Sequence, residues 1–586
     1  MKIKTPTPNY EKDKLLTKFG TEILKDRYML PEEKSPQDAF IRAAAAFADD
    51  TAHAQRLYDY VSNQWFMFAS PILSNGGTDR GLPISCFLNY VNDSRDGLAE
   101  HYTENIWLSS MGGGIGGYWG HIRSQGQSTS KGNKTTGVIP FMHVVDSQMI
   151  AFNQGATRRG SYASYMDISH PEITEFIDMR KPAGGDINRK NLNLHHGVVV
   201  SDKFMKAMEN DEHWDLIDPN SKDKIKTVKA RQLWIKILEA RVATGEPYIM
   251  FGDTVQRGLP KTQKDLGLKV THSNLCSEIT LATNEDRTAV CCLSSVNVEK
   301  YEEWKDNELF IDDLMRMLDN VLTYFINKAP SHMWRAIASA KSERSIGLGA
   351  MGFHTFLQSK NVPMESDEAM SWNKIIFKHI HIKALAANHI LGKERGEPSD
   401  MKGTGKRFAH MIAIAPNASS SIICGGVSPS IEPFRANAFT QKTLSGSALM
   451  KNPNLEKLLK EKGINNKQTW QSIITNKGSV AHLEQLSKNE RDTYKTAIEL
   501  EQECLVDLAA DRQKYVCQAQ SLNLFFTPDV NVRKLNNIHK RAWSKKLKTL
   551  YYLRSEAMTR AEVVANKVER IVRKDAEEDE CLSCQA

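Results

Sequence analysis

Asn274-Leu275-Cys276-Ser277-Glu278 sets a thiol between a carboxamide and a carboxylate, each two positions from the sulfur. In a strand or extended loop alternate side chains point the same way, so Asn274, Cys276 and Glu278 share one face. An amide can orient a hydroxyl, a carboxylate can remove its proton, and a thiol can react between them. The same residues also describe a small buried cysteine in a strand, and the rest of the chain has to decide between the two.

On either side, short apolar runs bounded by Gly, Pro, Asn and Ser alternate with longer amphipathic stretches. The runs are SPILSNGG (70–77), PISCFLNYV (83–91), LNLHHGVVV (192–200), PYIMFGD (247–253), AVCCLSSVNV (289–298), HMIAIAP (410–416), LNLFF (522–526) and KTLYY (548–552). DLMRMLDNVLTYFINKA (313–329) is the clearest of the amphipathic stretches. Strands alternating with helices predict an α/β class. Residues 1–65 carry helical spacing in AFIRAAAAFA (39–48) and AQRLYDYVSNQWFMF (54–68), a small helical lead-in. The segment from about 450 to 515 reads as mainly helical. The final KDAEEDECLSCQA (574–586) is acidic, without apolar periodicity, and reads as a flexible tail. Without an internal repeat or a Pro- or Gly-rich linker, one large catalytic domain over 66–570 is expected, followed by the tail at 571–586.

Composition narrows the class further. A chain of 586 residues with 40% hydrophobic and 25% charged residues can bury a large core. Its net charge of +7, from 77 basic and 70 acidic residues, is small for that size and argues only weakly for an anionic ligand. The start, MKIKTPTPNYEKDK, has no apolar signal core, and no run approaches the length needed to span a bilayer, so a cytoplasmic enzyme away from membranes is expected. Nine cysteines, an odd and widely spaced set, then read as thiols, metal ligands or redox pairs. Cys581-Leu582-Ser583-Cys584 has half the spacing of a zinc site, but no second such pair stands elsewhere, and no metal is expected. Gly112-Gly113-Gly114-Ile115-Gly116-Gly117 meets a dinucleotide-binding pattern in letters only. It follows a helical stretch, and no acidic residue stands about 20 positions on.

Asn-Leu-Cys-x-Glu resembles the radical-cysteine motif of ribonucleotide reductases, and other landmarks of that family follow in the expected order from about Phe68 to the last residue. Cys86, in Pro83-Ile84-Ser85-Cys86-Phe87-Leu88, is similar to the first cysteine of the family's active-site reducing pair. Its partner lies in Val290-Cys291-Cys292-Leu293, where the family spacing selects Cys291, with Cys292 the alternative. Cys581 and Cys584 resemble the tail pair that reduces the active-site disulfide and is itself reduced by thioredoxin or glutaredoxin. Lys548-Thr549-Leu550-Tyr551-Tyr552 resembles the end of the long-range radical path of class I members. There Tyr552 takes an oxidising equivalent from a separate small subunit, and Tyr551 passes it to Cys276.

The resemblance also implies a nucleotide site. Pro416-Asn417-Ala418-Ser419-Ser420-Ser421, followed by Ser430-Ile431-Glu432-Pro433, is similar to the loop that holds the substrate's diphosphate, with Ser70, Ser85 and Gly114 as further substrate contacts. Asp93 and Arg123 resemble ligands of an allosteric specificity site for deoxynucleoside triphosphates or ATP. Arg180–Asn193 resembles the loop that carries effector identity to the substrate. The implied fold is a ten-stranded α/β barrel with Cys276 on an interior finger loop. The implied assembly is a homodimer of large subunits that draws its radical from a dimetal small subunit and holds no cofactor of its own. The stretch before the catalytic domain is too short for the family's N-terminal ATP cone, so activity control through that module is expected to be absent. The implied reaction reduces ribonucleoside diphosphates to 2′-deoxyribonucleoside diphosphates. Cys276 as a thiyl abstracts the 3′-hydrogen, Glu278 takes the 3′-hydroxyl proton, Asn274 orients the ribose, Cys86 protonates the departing 2′-hydroxyl, and Cys86 with Cys291 supplies two electrons. An adenosylcobalamin-dependent reductase, a glycyl-radical enzyme and a non-enzymatic nucleotide- or nucleic-acid-binding protein are the rivals. The last leaves the cluster at 274–278 without a purpose, and no nucleic-acid partner is expected.

Overall fold

The computed structural model describes residues 3–152, 160–443 and 446–555. The lead-in is helical. Pro36–Ala46 starts at a reciprocal cap between Ser35 and Asp38, and Thr51–Ser62 starts where the Asp50 side chain accepts from His53 N–H. They pack apolar faces against one another, and Thr51–Ser62 also packs against the helix Phe310–Lys328.

Nine strands form the main sheet: β1 (Phe66–Phe68), β2 (Cys86–Tyr90), β3 (Gly114–Tyr118), β4 (Tyr162–Asp167), β5 (His195–Val200), β6 (Tyr248–Phe251), β7 (Ala289–Asn297), β8 (Ile346–Met351) and β9 (Thr549–Leu550). Strands β2 to β6 are parallel neighbours in chain order. Strands β7 and β8 begin a second parallel series. It continues through bridges from Leu348 to Ile412 and from Ile414 to Gln520, and on to the Tyr551 N–H, which donates to the Leu522 carbonyl. The two series meet antiparallel twice, where Cys86 opposes Cys291 and where Thr549 opposes Met250. Ten segments thus close a ring, five per half. β1 adds an antiparallel edge on β7.

Both faces of the barrel strands are buried, since helices cover the outside and a loop fills the inside, which explains why the runs are continuously apolar rather than alternating. SPILSNGG departs from the strand expectation: Ser70–Asn75 is a short helix, with Pro71 in its first turn, where a missing N–H costs nothing. The helical segment after 450 is preceded by a hairpin, Ala438–Thr443 with Gly446–Lys451. It roofs a small separate core around Leu455, Leu459 and Trp470.

Candidate active site

Residues 266–288 cross the interior of the ring without forming helix or strand. Space for them comes from the glycines of β3. A Cβ on Gly116 would stand 2.2 Å from the Ser273 carbonyl oxygen, and one on Gly114 would stand 2.9 Å from Leu275. The glycine run therefore serves close approach of a loop to a strand. His272 Nε2 donates to the Gly116 carbonyl (3.0 Å), Tyr165 Oη donates to the Asn274 carbonyl (2.7 Å), and Ala519 N–H donates to the Glu278 carbonyl (2.9 Å). These bonds tie the loop to three barrel strands. Ser277 adopts a left-handed φ of 68°, so the chain turns between Cys276 and Glu278 instead of running straight. The shared-face reading from strand alternation is corrected here: the loop turn and its anchors, not pleating, arrange the three side chains.

Asn274, Cys276 and Glu278 are all buried. Asn274 Nδ2 donates to Cys86 Sγ (3.1 Å), and Asn274 Oδ1 accepts from Ile279 N–H (3.1 Å), which fixes the amide's orientation. Ser521 Oγ donates to the Cys276 carbonyl (2.5 Å) and lies within hydrogen-bond distance of Glu278 Oε2 (3.1 Å). Glu278 Oε1 has no hydrogen-bond partner among the described residues. Burial, against the pull of neighbouring donors, pushes the Glu278 carboxyl up to about 7, the range of a general base at neutral pH.

Cys86 and Cys291 are cross-strand partners at the antiparallel joint. A Cβ on Gly347 would lie 3.1 Å from Cys291 Sγ, whereas Cys292 Sγ turns to the Leu318 carbonyl (3.4 Å) of the covering helix. Pleating thus separates the two adjacent sulfurs onto opposite faces. Burial, reinforced by Cys292, Cys86 and Glu278, pushes the Cys291 thiol well above its usual value, so it rests as S–H.

At the other end, Cys276 belongs to one packed cluster with Tyr248, Tyr551 and Tyr552. The Tyr551 and Tyr552 rings are 4.3 Å apart, and Tyr248 lies 4.8 Å from the first and 5.1 Å from the second. Arg241, wholly buried, donates to the Tyr551 carbonyl (3.0 Å) and to His539. Its conformation holds the pair's backbone in place.

Around this centre, Ser85 Oγ, Ser294 Oγ and Ser430 Oγ are buried with no partner among the described residues, an arrangement that suits a polar ligand. Asn417, at a left-handed φ of 56°, precedes the short helix Ala418–Ile423 and exchanges hydrogen bonds with Ser295. Pro416 and Ala418 flank it, and Ser419 and Ser420 are buried in that helix. Gly114 is the register partner of Cys86. Ser70 Oγ is engaged by Tyr28 Oη at 2.8 Å. Asp93 and Arg123 sit apart, on the loops after β2 and β3, in an ion pair (2.9 Å) to which Asn220 adds a bond to Asp93 (3.1 Å). Cys581 and Cys584 lie outside the described residues. Tyr165, Tyr248, Ser294 and Ser521 had gone unnoticed in the sequence. Each is an ordinary strand or loop residue: Tyr165, Tyr248 and Ser521 matter through partners far away in the chain, and Ser294 through a buried hydroxyl with no partner among the described residues.

No group of three or more His, Cys, Asp or Glu able to hold a metal is present among the described residues, and no described helix is long and apolar enough to cross a membrane. The chain matches the description of the ribonucleotide reductase barrel domain over residues 84–404 and 398–553, and of the ribonucleotide reductase all-alpha domain over 14–81. It is 44% identical to the ribonucleoside-diphosphate reductase large subunit of Invertebrate iridescent virus 3, covering 99% of this chain and 100% of that one. It is 29% identical to large chain 2 of the same enzyme in Saccharomyces cerevisiae, over 94% of this chain and 71% of that one. Among solved structures, the Actinobacillus ureae class Id ribonucleotide reductase alpha subunit superposes with a TM-score of 0.83 at 36% identity, over 94% of this chain and 99% of that one. Barrel, interior loop and whole-length likeness agree, and the chain belongs to the ribonucleotide reductase family as a large, catalytic subunit of class I.

Proposed function

We propose that the chain reduces ribonucleoside diphosphates with the Cys276 thiyl as hydrogen abstractor, and that a small subunit supplies the oxidising equivalent through Tyr552 and Tyr551. The observation that carries this reading is the loop Asn274–Glu278. It is buried inside the ring, joined to Cys86 by the Asn274 amide at one end and packed with the tyrosine pair at the other. Glu278, with a carboxyl poised near neutrality, takes the 3′-hydroxyl proton, and Asn274 orients the ribose. Cys86 protonates the leaving 2′-hydroxyl. Water departs, Cys86 and Cys291 give two electrons and become a disulfide, and hydrogen returns to C3′. Exclusion of water and oxygen protects the carbon radical in between. The residues Pro416–Ser420, with Ser70, Ser85 and Gly114, form the cradle for the substrate, and Asp93 with Arg123 binds the effector, a deoxynucleoside triphosphate or ATP. Thioredoxin or glutaredoxin, acting through Cys581 and Cys584, restores the active-site thiols.

The reading of a homodimer is supported by the helix Val138–Ala151, which exposes Val144 and Ile150, with Phe152 beyond it and Ile187 of an adjoining turn also exposed. Such a face buries itself against a second copy. Val144→Asp should shift the sedimenting species to monomer.

Deoxynucleotide formation from a ribonucleoside diphosphate, measured with and without added small subunit, tests the reading. Activity is expected only with the subunit. Cys276→Ser should abolish it while nucleotide binding persists, and turnover by that variant would refute the assignment. Adenosylcobalamin-supported turnover by Tyr551→Phe, without partner, would favour the second class of reductase.

A further inference from the structure

The two tyrosines of the pair are held by different parts of the molecule. Tyr551 N–H donates to the Leu522 carbonyl (2.9 Å), and the Tyr551 carbonyl accepts from Arg241 of the helix Ala230–Thr244. Tyr552 falls in the gap between β9 and the short strand Leu553–Ser555. There a side chain stands in for a ladder carbonyl: Tyr552 N–H donates to Asn523 Oδ1 (3.1 Å), while the Tyr552 carbonyl accepts from Leu524 N–H (3.0 Å). A main-chain N–H can only donate, so the oxygen of the Asn523 amide faces Tyr552 and its nitrogen faces the other way. That nitrogen donates to Glu432 Oε1 at 2.5 Å. Asn523 and Glu432 are both buried, where losing one partner of a polar bond costs more than it does in water.

Glu432 connects this bond to the nucleotide cradle. The chain leaves the helix Ala418–Ile423 through Gly425 and Gly426, both left-handed (φ 79° and 74°), and the N–H groups of Gly426 and Val427 fold back onto the Ser421 carbonyl (3.1 and 3.2 Å). Ser430 follows at a left-handed φ of 52°, with a buried hydroxyl that has no partner among the described residues. Glu432 stands two residues further on. Ser428 N–H donates to Thr355 Oγ1 (2.7 Å) and Phe434 N–H donates to His354 Nδ1 (3.0 Å), so both ends of this run are anchored. A polar ligand that engages the Ser430 hydroxyl therefore displaces only the residues between the anchors, Glu432 included. The displacement reaches Tyr552 through one side chain, Asn523.

We propose that Asn523 is a positioning residue for Tyr552, and that through Glu432 it makes the placement of this tyrosine depend on whether the nucleotide cradle is filled. The proposal rests on the reading of Tyr552 as the entry point of the radical path and of the segment from Pro416 onward as the substrate cradle. Transfer of a radical needs close alignment of donor and acceptor, and a misplacement of about 1 Å changes a rate by about 100-fold. An empty chamber holds Tyr552 out of line and draws no oxidant that it cannot use. A filled one brings Glu432, Asn523 and the Tyr552 backbone into register together.

The test uses the full chain with its small subunit. Asn523→Ala should lower kcat about 100-fold, with the nucleotide KM within about twofold of the parent, whereas a residue that only braced the cradle would raise KM. Glu432→Ala should be equally slow, and the double variant no slower than either, since both interrupt one chain of bonds. Glu432→Gln keeps an acceptor oxygen and should recover most of the loss. A third readout places 3-aminotyrosine, a phenol more readily oxidised than tyrosine, at the position of Tyr552, where it traps the oxidising equivalent as a radical counted by electron paramagnetic resonance. With Asn523 present the yield should rise when a ribonucleoside diphosphate is added; with Asn523→Ala it should be low and the same with or without nucleotide. Parent-like kcat in Asn523→Ala, additive losses in the double variant, or a yield that still responds to nucleotide without Asn523 overturns the proposal. Should Asn523→Ala fail to fold, equal turnover in Glu432→Ala and Glu432→Gln overturns it as well. Tyr552→Phe separates the two claims: if it is inactive while Asn523→Ala is active, only the positioning role is wrong, and if Tyr552→Phe turns over normally, the radical path itself is wrong.

Discussion

Cys86 and Cys291 oppose each other directly across the antiparallel joint between the barrel halves. Cross-strand partners have Cα atoms about 4.5–5.5 Å apart, inside the range a disulfide accepts. The pair can therefore oxidise without moving the strands that carry it.

Cys292 is the control for that pairing. Its sulfur points away, to the Leu318 carbonyl. Cys292→Ser should retain turnover at a stability cost of about 1 kcal/mol, whereas Cys291→Ser should stop multiple turnover. Deoxynucleotide yield per chain, with and without a dithiol reductant, distinguishes them.

Glu278 carries a pH signature. Its folded carboxyl, raised to about 7 from 4.5, binds a proton more tightly than in the unfolded chain. The stability this contributes is complete below pH 4.5 and is lost as pH rises through 7. Glu278→Gln escapes that loss. The variant should be more stable than the parent at pH 8, by up to about 3 kcal/mol, and equal to it at pH 4.5, by denaturant titration. Its turnover should fall by about 100-fold or more.

Gly116 tests the space made for the loop. Gly116→Ala drives a methyl group into the Ser273 carbonyl. Overpacking of this kind costs about 1–3 kcal/mol, and displacement of Asn274 and Cys276 should reduce turnover by about 100-fold. Retained activity would mean that the loop can move outward without consequence.

Arg123 tests the proposed effector site. Its ion pair with Asp93 is partly exposed and contributes at most about 1 kcal/mol. Arg123→Ala should leave unstimulated activity intact and remove the response of substrate preference to deoxynucleoside triphosphates, measured by competing substrates.

Much of this arrangement was legible in the sequence, because strand runs, helix caps and a five-residue motif are local signals. Cys86, Cys276, Cys291 and the tyrosine pair stand out as residue types in short motifs. What was not legible depends on distant partners. The choice between Cys291 and Cys292 needed the facing positions of Gly347 and Leu318. Ser521 matters through a hydroxyl shared with residues more than 240 positions earlier. Ser277 gave no sign of its left-handed turn, since serine is not a residue that demands one. SPILSNGG misled because a short apolar run bounded by Pro and Gly fits one helical turn as well as a strand.

The pairing of Thr549 with Met250 joins positions 299 residues apart (549 − 250) and closes the ring with nearly the last described strand. Contacts so distant form late, after the entropy of a long loop has been lost. During synthesis the first half can assemble while the sulfur at 276 is still open to solvent. The enclosure becomes complete only when the tyrosine segment arrives, so the element proposed to deliver the oxidant is also the one that shuts the chamber, and a chain cut short of it holds neither.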